Sequence, residues 1–304
     1  TTMARERYMA QVRLLTRTLP LIAEDPVFAL KGGTAINLFH RDMPRLSVDA
    51  DLVYLPLQDR QSTLAGIDAA LERLTERVEQ SLQGARVHAA GRTDEVRLEV
   101  RHGNAAVKVE TSPVMRGTVH PPETRRFTQR VEDAFGFAEM TLVAFEDLFA
   151  GKLVAALDRQ HPRDLYDVKL LFENEGLTDD LFRTFLVYIA SSNRPPHELI
   201  DPRRVDIEPV FHAEFAGMTV DPLPLTELEA ARERLISEIR ARLDGNTMSF
   251  LLSLHDGVPD FNAIGLPQAA TLPAVRWKLL NLERLRNADP IKHARQRAAI
   301  EQLN

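Results

Sequence analysis

The sequence predicts an α+β protein, in which a mixed β-sheet flanked by helices is followed by a helical C-terminal domain. Alternating polar and apolar residues indicate strands at 46–55 and in three runs between 85 and 113. Apolar residues at helical spacing indicate a helix over 62–82. Residues 181–304 have helical patterns joined by Pro-rich connections, which places the sheet in the first half.

Local signals predict the other elements of the first half. We expect an opening helix over residues 5–18 and a second helix that begins at Gly32. Pro44 ends that second helix, because proline disfavours helical geometry at the residue before it. A loop rich in Pro and Arg follows over 116–130, and helices resume near Phe145.

The polar segment around residues 174–180 follows a helix and marks the expected domain boundary. We therefore predict a catalytic domain over 1–176 and a helical domain over 177–304. The catalytic domain should hold the chemistry, because the motifs described below all lie in it.

Composition limits the classes of protein to consider. The chain has 304 residues, 44% of them hydrophobic and 27% charged, as in globular proteins. It has no cysteine, which excludes disulfides and thiolate metal sites. It has no apolar run of membrane-spanning length and no signal-like start, so we expect a cytoplasmic protein without a membrane partner. The net charge of −6 restricts any contact with nucleic acid to a local patch.

Residues 32–51 combine a glycine-rich helix start with a pair of aspartates. Gly32, Gly33 and Thr34 open a helix, whose free N–H groups suit a phosphate. Asp49 and Asp51 are two apart, so on a strand they share one face. Such a pair can hold Mg²⁺, and two ions would clamp the oxygens of a transferring phosphate. The alternative is a capped helix followed by a strand whose aspartates face water.

A third carboxylate lies on a later strand. In the segment VKVE, Glu110 shares a face with Lys108. If this strand pairs with the aspartate strand, Glu110 completes the metal site or serves as the base on an acceptor hydroxyl. The alternative is an exposed alternating strand.

A second polar cluster lies on the helices around residue 160. Lys152 lies close to an apolar helix stripe, and Arg159 follows two turns later. Asp164 and Asp167 are one turn apart on the next helix. Together these side chains suit a triphosphate. The alternative for Asp164 is an acidic residue that opposes the helix dipole in a first turn.

These motifs resemble the AbiEii/AbiGii toxin family of nucleotidyltransferases, which includes MenT-like proteins and belongs to the DNA polymerase β-like superfamily. The matching segments are KGGTAINLFHRDMPRLSVDADLVYL, VKVE and GKLVAALDRQHPRDLYDVKLL. The resemblance implies a nucleotidyltransferase-type sheet. It does not determine which molecule is the acceptor. Its metal ligands would be Asp49, Asp51 and Glu110, and the residues essential to transfer would include Lys152 and Asp167 or Asp164. The nucleotide-binding residues would be Lys31, Gly32, Gly33, Thr34, Ser47, Arg159 and Arg163. In MenT-type relatives the matching serine can be phosphorylated.

We therefore expect a Mg²⁺-dependent enzyme that transfers NMP from an NTP to an acceptor hydroxyl, with a tRNA 3′ end as the acceptor and a cognate antitoxin as a further partner. The alternatives are an antibiotic-type transferase that acts on a small molecule and a non-catalytic binding module on the same fold. The only feature that favours RNA is a basic segment over 276–297, and the alternative is a solvated helix face. The scattered histidines make a zinc site improbable.

Overall fold

The computed structural model describes the backbone of residues 2–92 and 95–303 and the side chains of residues 6–89 and 97–303. The chain forms two compact units, Thr1–Ala144 and Phe145–Asn304. Residues 93 and 94, which separate the first two strand-like runs of the sequence, lie outside the described residues.

The first unit combines helices with a β-sheet. Its helices are α1 (Thr2–Ala23), α2 (Gly32–Ala35), α3 (Arg60–Ser81) and α4 (Gln129–Phe135). Its strands are β1 (Phe28–Lys31), β2 (Ala50–Tyr54), β3 (Arg86–Arg92), β4 (Glu95–His102), β5 (Ala105–Thr111), β6 (Glu123–Arg126) and β7 (Glu139–Leu142). A π-helical turn, Ile36–His40, continues α2, and the chain becomes extended at Arg41.

The described strands form one mixed sheet in the order β3-β4-β5-β2-β1-β7-β6. The pairs β2–β5 and β1–β7 are parallel, and the other neighbours are antiparallel. The predicted α+β class with a mixed sheet is confirmed. Leu30, Leu52 and Val109 are buried and pack the core. The central position of β2 places Asp51 in the middle of the sheet.

Several elements of the first unit differ from the sequence prediction. The predicted strand over 46–55 is shorter, because β2 begins at Ala50 and Asp49 lies just before it. The predicted loop over 116–130 contains β6, whose sequence ETRR has no apolar alternation to reveal a strand. The predictions for α1, α3 and β3 to β5 are confirmed to within a few residues.

The second unit is helical, as predicted for most of it. Its main helices are α5 (Phe145–Arg159), α6 (Pro162–Asn174), α7 (Asp179–Ser191), α8 (Pro196–Ile200), α9 (Glu208–Val210), α10 (Leu225–Arg240), α11 (Gly245–His255), α12 (Pro273–Ala288) and α13 (Pro290–Glu301). A π-helical turn, Phe211–Phe215, follows α9, and a 3-10 turn, Pro267–Thr271, precedes α12.

The division between the compact units comes before the predicted domain boundary at 176/177. Helices α5 and α6 pack against each other, α5 also packs against α7, and α6 packs against α10. The buried faces of α5 and α6 include Phe149, Leu153 and Leu171, so these helices share the core of the second unit. No helix of the described residues is long and apolar enough to cross a membrane.

Candidate active site

The glycine turn after β1 brings the backbone against a carboxylate. Gly32 has a φ of +75°, a conformation that side chains rarely adopt. A Cβ atom at this position would overlap Oδ2 of Asp51. A Cβ on Gly33 would lie 2.8 Å from Oγ of Ser47 and 2.7 Å from Nη2 of Arg45. The two glycines therefore allow the turn to contact the segment that carries the predicted site.

Thr34 fixes the segment that leads into β2. Its buried hydroxyl donates to the backbone carbonyl of Asp49 at 2.6 Å and lies 3.2 Å from Oγ of Ser47. The N–H of Ser47 donates to the Tyr8 hydroxyl at 3.1 Å. Burial raises the pKa of Tyr8, although this hydrogen bond and the charge of Arg45 oppose the rise. Because the Thr34 hydroxyl donates its proton to the Asp49 carbonyl and contacts Ser47, Thr34 positions both residues.

Four charged residues form a row across the centre of the sheet. Lys31 on β1 is the register partner of Asp51 on β2. Asp51 is in turn paired with Glu110 on β5, and Glu110 with Arg97 on β4. Directly paired residues point to the same face of a sheet, so the row runs cation, carboxylate, carboxylate, cation. We call these four residues the charge row.

Arg97 holds Glu110 directly. Its Nε lies 2.5 Å from Oε1 of Glu110, and the Glu110 side chain is 20% exposed. This pairing places a fixed carboxylate beside Asp51. Sequence reasoning missed Arg97, because its contact with Glu110 depends on the register of β4 against β5.

Carboxylate oxygens are the donors that Mg²⁺ prefers, and Mg²⁺ is often held by one or two carboxylates with phosphates and water. Asp49 and Asp51 provide two such groups within three residues. Among the described residues no three carboxylate or imidazole groups converge into a preformed metal cluster. The donor set therefore fits a metal that is completed by a substrate.

The second predicted cluster is present within the second unit. Nζ of Lys152 lies 2.7 Å from Oδ1 of Asp164 and 3.0 Å from Oδ2 of Asp167. All three residues are buried. Arg159, whose side chain is 64% exposed, donates to Asp164 from Nε at 2.5 Å and from Nη2 at 3.0 Å. We call these four residues the lysine cluster.

The charge of Asp164 is strongly favoured in this cluster. Burial alone would raise the pKa of its carboxyl, but the charge of Lys152 and the hydrogen bonds and charge of Arg159 outweigh burial and hold the pKa well below its usual range. Asp164 does not cap α6. That role belongs to His161, whose Nδ1 accepts the N–H of Arg163 at 3.1 Å.

Arg163 lies apart from the lysine cluster. Its Nη2 is 3.6 Å from Oε2 of Glu214, which also contacts Nε2 of His161 at 3.1 Å. The structure thus brings together Lys152, Arg159, Asp164 and Asp167, while Arg163 pairs with a different carboxylate.

Comparison with known proteins decides the family of this chain. The sequence profile of the family described as "Nucleotidyl transferase AbiEii toxin, Type IV TA system" matches residues 13–279. The chain belongs to this AbiEii family. It is a nucleotidyltransferase toxin of a type IV toxin–antitoxin system, which implies an NTP substrate and an antitoxin partner. The predicted family and enzyme class are confirmed.

A solved structure supports the fold of this AbiEii toxin. MenT4, a nucleotidyltransferase toxin from Mycobacterium tuberculosis H37Rv, superposes with a TM-score of 0.60 and 19% identity. The match covers 91% of this chain and 94% of MenT4. At this identity the likeness concerns the fold alone. A comparison with curated protein sequences gives no match.

The basic segment of the AbiEii toxin over 276–297 is less continuous than the sequence predicts. Lys278 is 4% exposed, so it does not belong to a solvated face. Arg297 is held by Asp256 at 2.9 Å and also contacts Glu301. The exposed cations of the segment are Arg276, Arg284, Arg286, Lys292 and Arg295.

Proposed function

We propose that this AbiEii toxin transfers NMP from an NTP to an acceptor hydroxyl in a Mg²⁺-dependent reaction, with the 3′ end of a tRNA as the acceptor. The charge row carries the proposal. It places the carboxylates of Asp51 and Glu110 side by side at the sheet centre, next to the glycine turn at Gly32.

Asp49 and Asp51 would hold the metal, and Glu110, positioned by Arg97, would be a third ligand or the base on the acceptor hydroxyl. When bound, Mg²⁺ supplies positive charge that offsets the charge of the triphosphate. The expectation of two ions rests on the neighbouring carboxylates. Glu110 keeps both proposed roles, because Arg97 fixes it in place but no three carboxylates among the described residues converge into a preformed site.

The remaining residues of the glycine turn would orient the triphosphate. Lys31 contributes a cation at one end of the charge row, and the backbone N–H groups of Gly32 and Gly33 lie at a helix start. Ser47 lies beside Gly33 and Thr34. In this proposal their shared task is positioning, which supplies most of the rate in phosphoryl transfer.

The reaction forms one bond and breaks one bond at the α-phosphorus. The acceptor oxygen forms a bond to phosphorus, the bond to the β-phosphate oxygen breaks, and pyrophosphate leaves with the bonding electrons. The acceptor proton goes to Glu110 or to water. Lys31, and the metal that Asp49 and Asp51 would hold, would stabilise the negative charge that develops in this step.

The lysine cluster is proposed to be essential to transfer, on the basis of the family resemblance. Its buried salt bridges support a role for Lys152, Asp164 and Asp167 in fixing the corner between α5 and α6. Arg159 and Arg163 are exposed enough to reach a phosphate, and their assignment to nucleotide binding remains part of the proposal.

The proposed setting follows from the substrates. NTPs and tRNA are molecules of the cytoplasm, so the proposal places the toxin there. Modification of a tRNA 3′ end would stop translation and arrest growth, as expected of a toxin or an abortive-infection protein. A cognate antitoxin would relieve that arrest.

The test is to incubate the protein with each α-labelled NTP, Mg²⁺ and bulk RNA, and to separate the products by size. We expect one NTP to label RNA of tRNA length, with pyrophosphate released. Label on a small molecule instead of RNA would overturn the acceptor assignment. The proposal would be overturned if folded protein transferred no label to any acceptor and cells grew without restriction when the protein was induced.

A further inference from the structure

A groove in the second unit has no part in the proposed transfer. It has a volume of about 300 Å³ and lies between α12, α13 and the segment around α8. Most of the side chains that line it are polar; they include Asn193, Glu198, Lys278, Asn281, Lys292 and Gln296. Such a lining suits a hydrated or charged ligand better than an apolar one.

Lys278 is a buried cation in this groove that lacks a counter-ion. Its Nζ donates to the backbone carbonyl of Arg194 at 2.5 Å, which uses one of three N–H groups. Among the described residues no carboxylate forms an ion pair with it. Burial lowers the pKa of Lys278 to about 8, against the charge of Glu198. A bound anion would offset the cost of burying this charge.

The other charges of the groove also favour an anion. Glu198 is already paired with Arg194 at 3.0 Å, whereas Lys292 is exposed at the groove. Helices α12 and α13 carry seven basic and two acidic side chains, although the whole chain is acidic. The positive potential is therefore local to this surface.

An exposed aromatic side chain lies on α12, one of the helices that line the groove. Trp277 is 42% exposed, and the guanidinium of Arg284 lies 5.6 Å from its ring centroid. Trp277, Asn281 and Arg284 are spaced one turn apart, so they share one side of α12. Because Asn281 also lines the groove, the aromatic surface and the cationic groove adjoin each other.

We propose that this surface of α12 binds one nucleotide unit of a single-stranded RNA segment. The phosphate would contact Lys278 and Lys292 in the groove, and the base would stack on Trp277 beside Arg284. Proteins that bind single strands combine a cationic track with aromatic side chains in this way. The inference rests on the proposed RNA acceptor and gives that acceptor a docking surface.

An acidic peptide, such as a segment of an antitoxin, would match the charge of the groove. It would have no base to stack on the Trp277 ring, over which the Arg284 guanidinium lies. The combination of a cationic groove and an exposed indole therefore favours RNA.

The test measures filter binding of a short unstructured oligoribonucleotide at several salt concentrations. The variants are Lys278→Met, Lys292→Ala and Trp277→Ala, with Trp277→Phe as the conservative variant. The controls are Arg183→Ala, which removes an exposed cation on α7, and Leu280→Ala, which removes an exposed apolar side chain on α12.

We expect each lysine variant to weaken binding and to reduce the slope of log affinity against log salt by about 0.7. Trp277→Ala should weaken binding roughly ten-fold or more without changing that slope, and Trp277→Phe should restore much of it. The controls should bind as the wild type does. Lys292→Ala replaces an exposed side chain, so it keeps the phosphate test valid if Lys278→Met fails to fold.

Three results would overturn the inference. The first is unchanged affinity and slope in both lysine variants. The second is that the lysine variants lose binding to an immobilised acidic peptide while their binding to RNA stays intact. The third is that inorganic phosphate binds through Lys278 and does not compete with the oligoribonucleotide. Oligoribonucleotide binding does not require catalysis. If the variants show the expected binding defects but the wild-type protein labels no RNA, the proposed function alone is refuted. If every variant labels and binds RNA as the wild type does, this inference alone is refuted.

Discussion

Asp51 on β2 and Glu110 on β5 are register partners in a parallel pair at the centre of the sheet. Like charges directly opposite each other on a sheet repel, so this arrangement costs stability unless cations compensate. Lys31 and Arg97 occupy the flanking positions of the same row. The charge row therefore keeps two carboxylates adjacent in a folded protein, as the proposed metal-dependent transfer requires.

Arg97→Met tests the link between Arg97 and Glu110. It should lower transfer by about 10–100-fold and raise the Mg²⁺ concentration needed for half-maximal rate, because partners of a metal ligand tune its affinity. The measurement is a Mg²⁺ titration of the transfer rate. Arg101→Met is the matched control, since Arg101 lies on the same strand face and pairs with Glu99. Equal Mg²⁺ dependence in both variants would contradict the role of Arg97.

Gly32→Ala tests the close approach of the glycine turn to Asp51. The added Cβ would displace the carboxylate, so we expect loss of transfer in addition to about 1–2 kcal/mol of lost stability from the positive φ. Gly84→Ala is the control, because Gly84 has a φ of +84° but open space around it. It should lose similar stability and keep full activity. If the two variants transferred equally well, the turn would have no catalytic task.

Lys152→Met tests the energetics of the lysine cluster. Removing the cation leaves Asp164 and Asp167 buried without their lysine, which should cost about 3–5 kcal/mol of unfolding free energy. Urea denaturation measures the loss. The control is Lys169→Met, whose ion pairs with Glu173 and Glu227 are more exposed and should change stability far less. A stable Lys152→Met variant would show that the cluster is not a structural unit.

Acid should destabilise the second unit through Asp164. The folded pKa of Asp164 lies below the unfolded value of 3.8, so the folded state binds fewer protons. The contribution to stability is complete above 3.8 and is lost as the pH falls through the folded pKa. Denaturant midpoints measured across this acidic range should fall less steeply in Asp164→Asn. Parallel curves for both proteins would contradict the depressed pKa.

The two clusters of candidate site residues could be predicted from the sequence because the residues of each cluster lie close together along the chain. The spacing of Gly32, Asp49 and Asp51 could be recognised from the chain alone, and so could that of Lys152, Asp164 and Asp167. The contacts of the second group are confirmed as a cluster of salt bridges. Their roles in transfer stay predictions.

Features that depend on long-range pairing could not be predicted. The Arg97–Glu110 contact depends on the register of β4 against β5, which the alternating pattern leaves open. The burial of Lys278 depends on the packing of α12 against the rest of its unit, so a helix pattern rich in cations wrongly indicated an exposed strip there. Strand β6 was missed because pairing with β7, and not apolar alternation, defines it.

The most direct test of nucleotidyl transfer at the charge row compares Asp51→Asn with Glu99→Gln under α-labelled and γ-labelled NTP. Glu99 lies on the same strand face as Arg97 but outside the row, so its variant is the matched loss of one carboxylate. Folding of both variants is checked by thermal unfolding. The account predicts RNA labelled from the α-label only, abolished in Asp51→Asn and retained in Glu99→Gln. Undiminished labelling by a folded Asp51→Asn protein, or label that comes from the γ-phosphate, would contradict it.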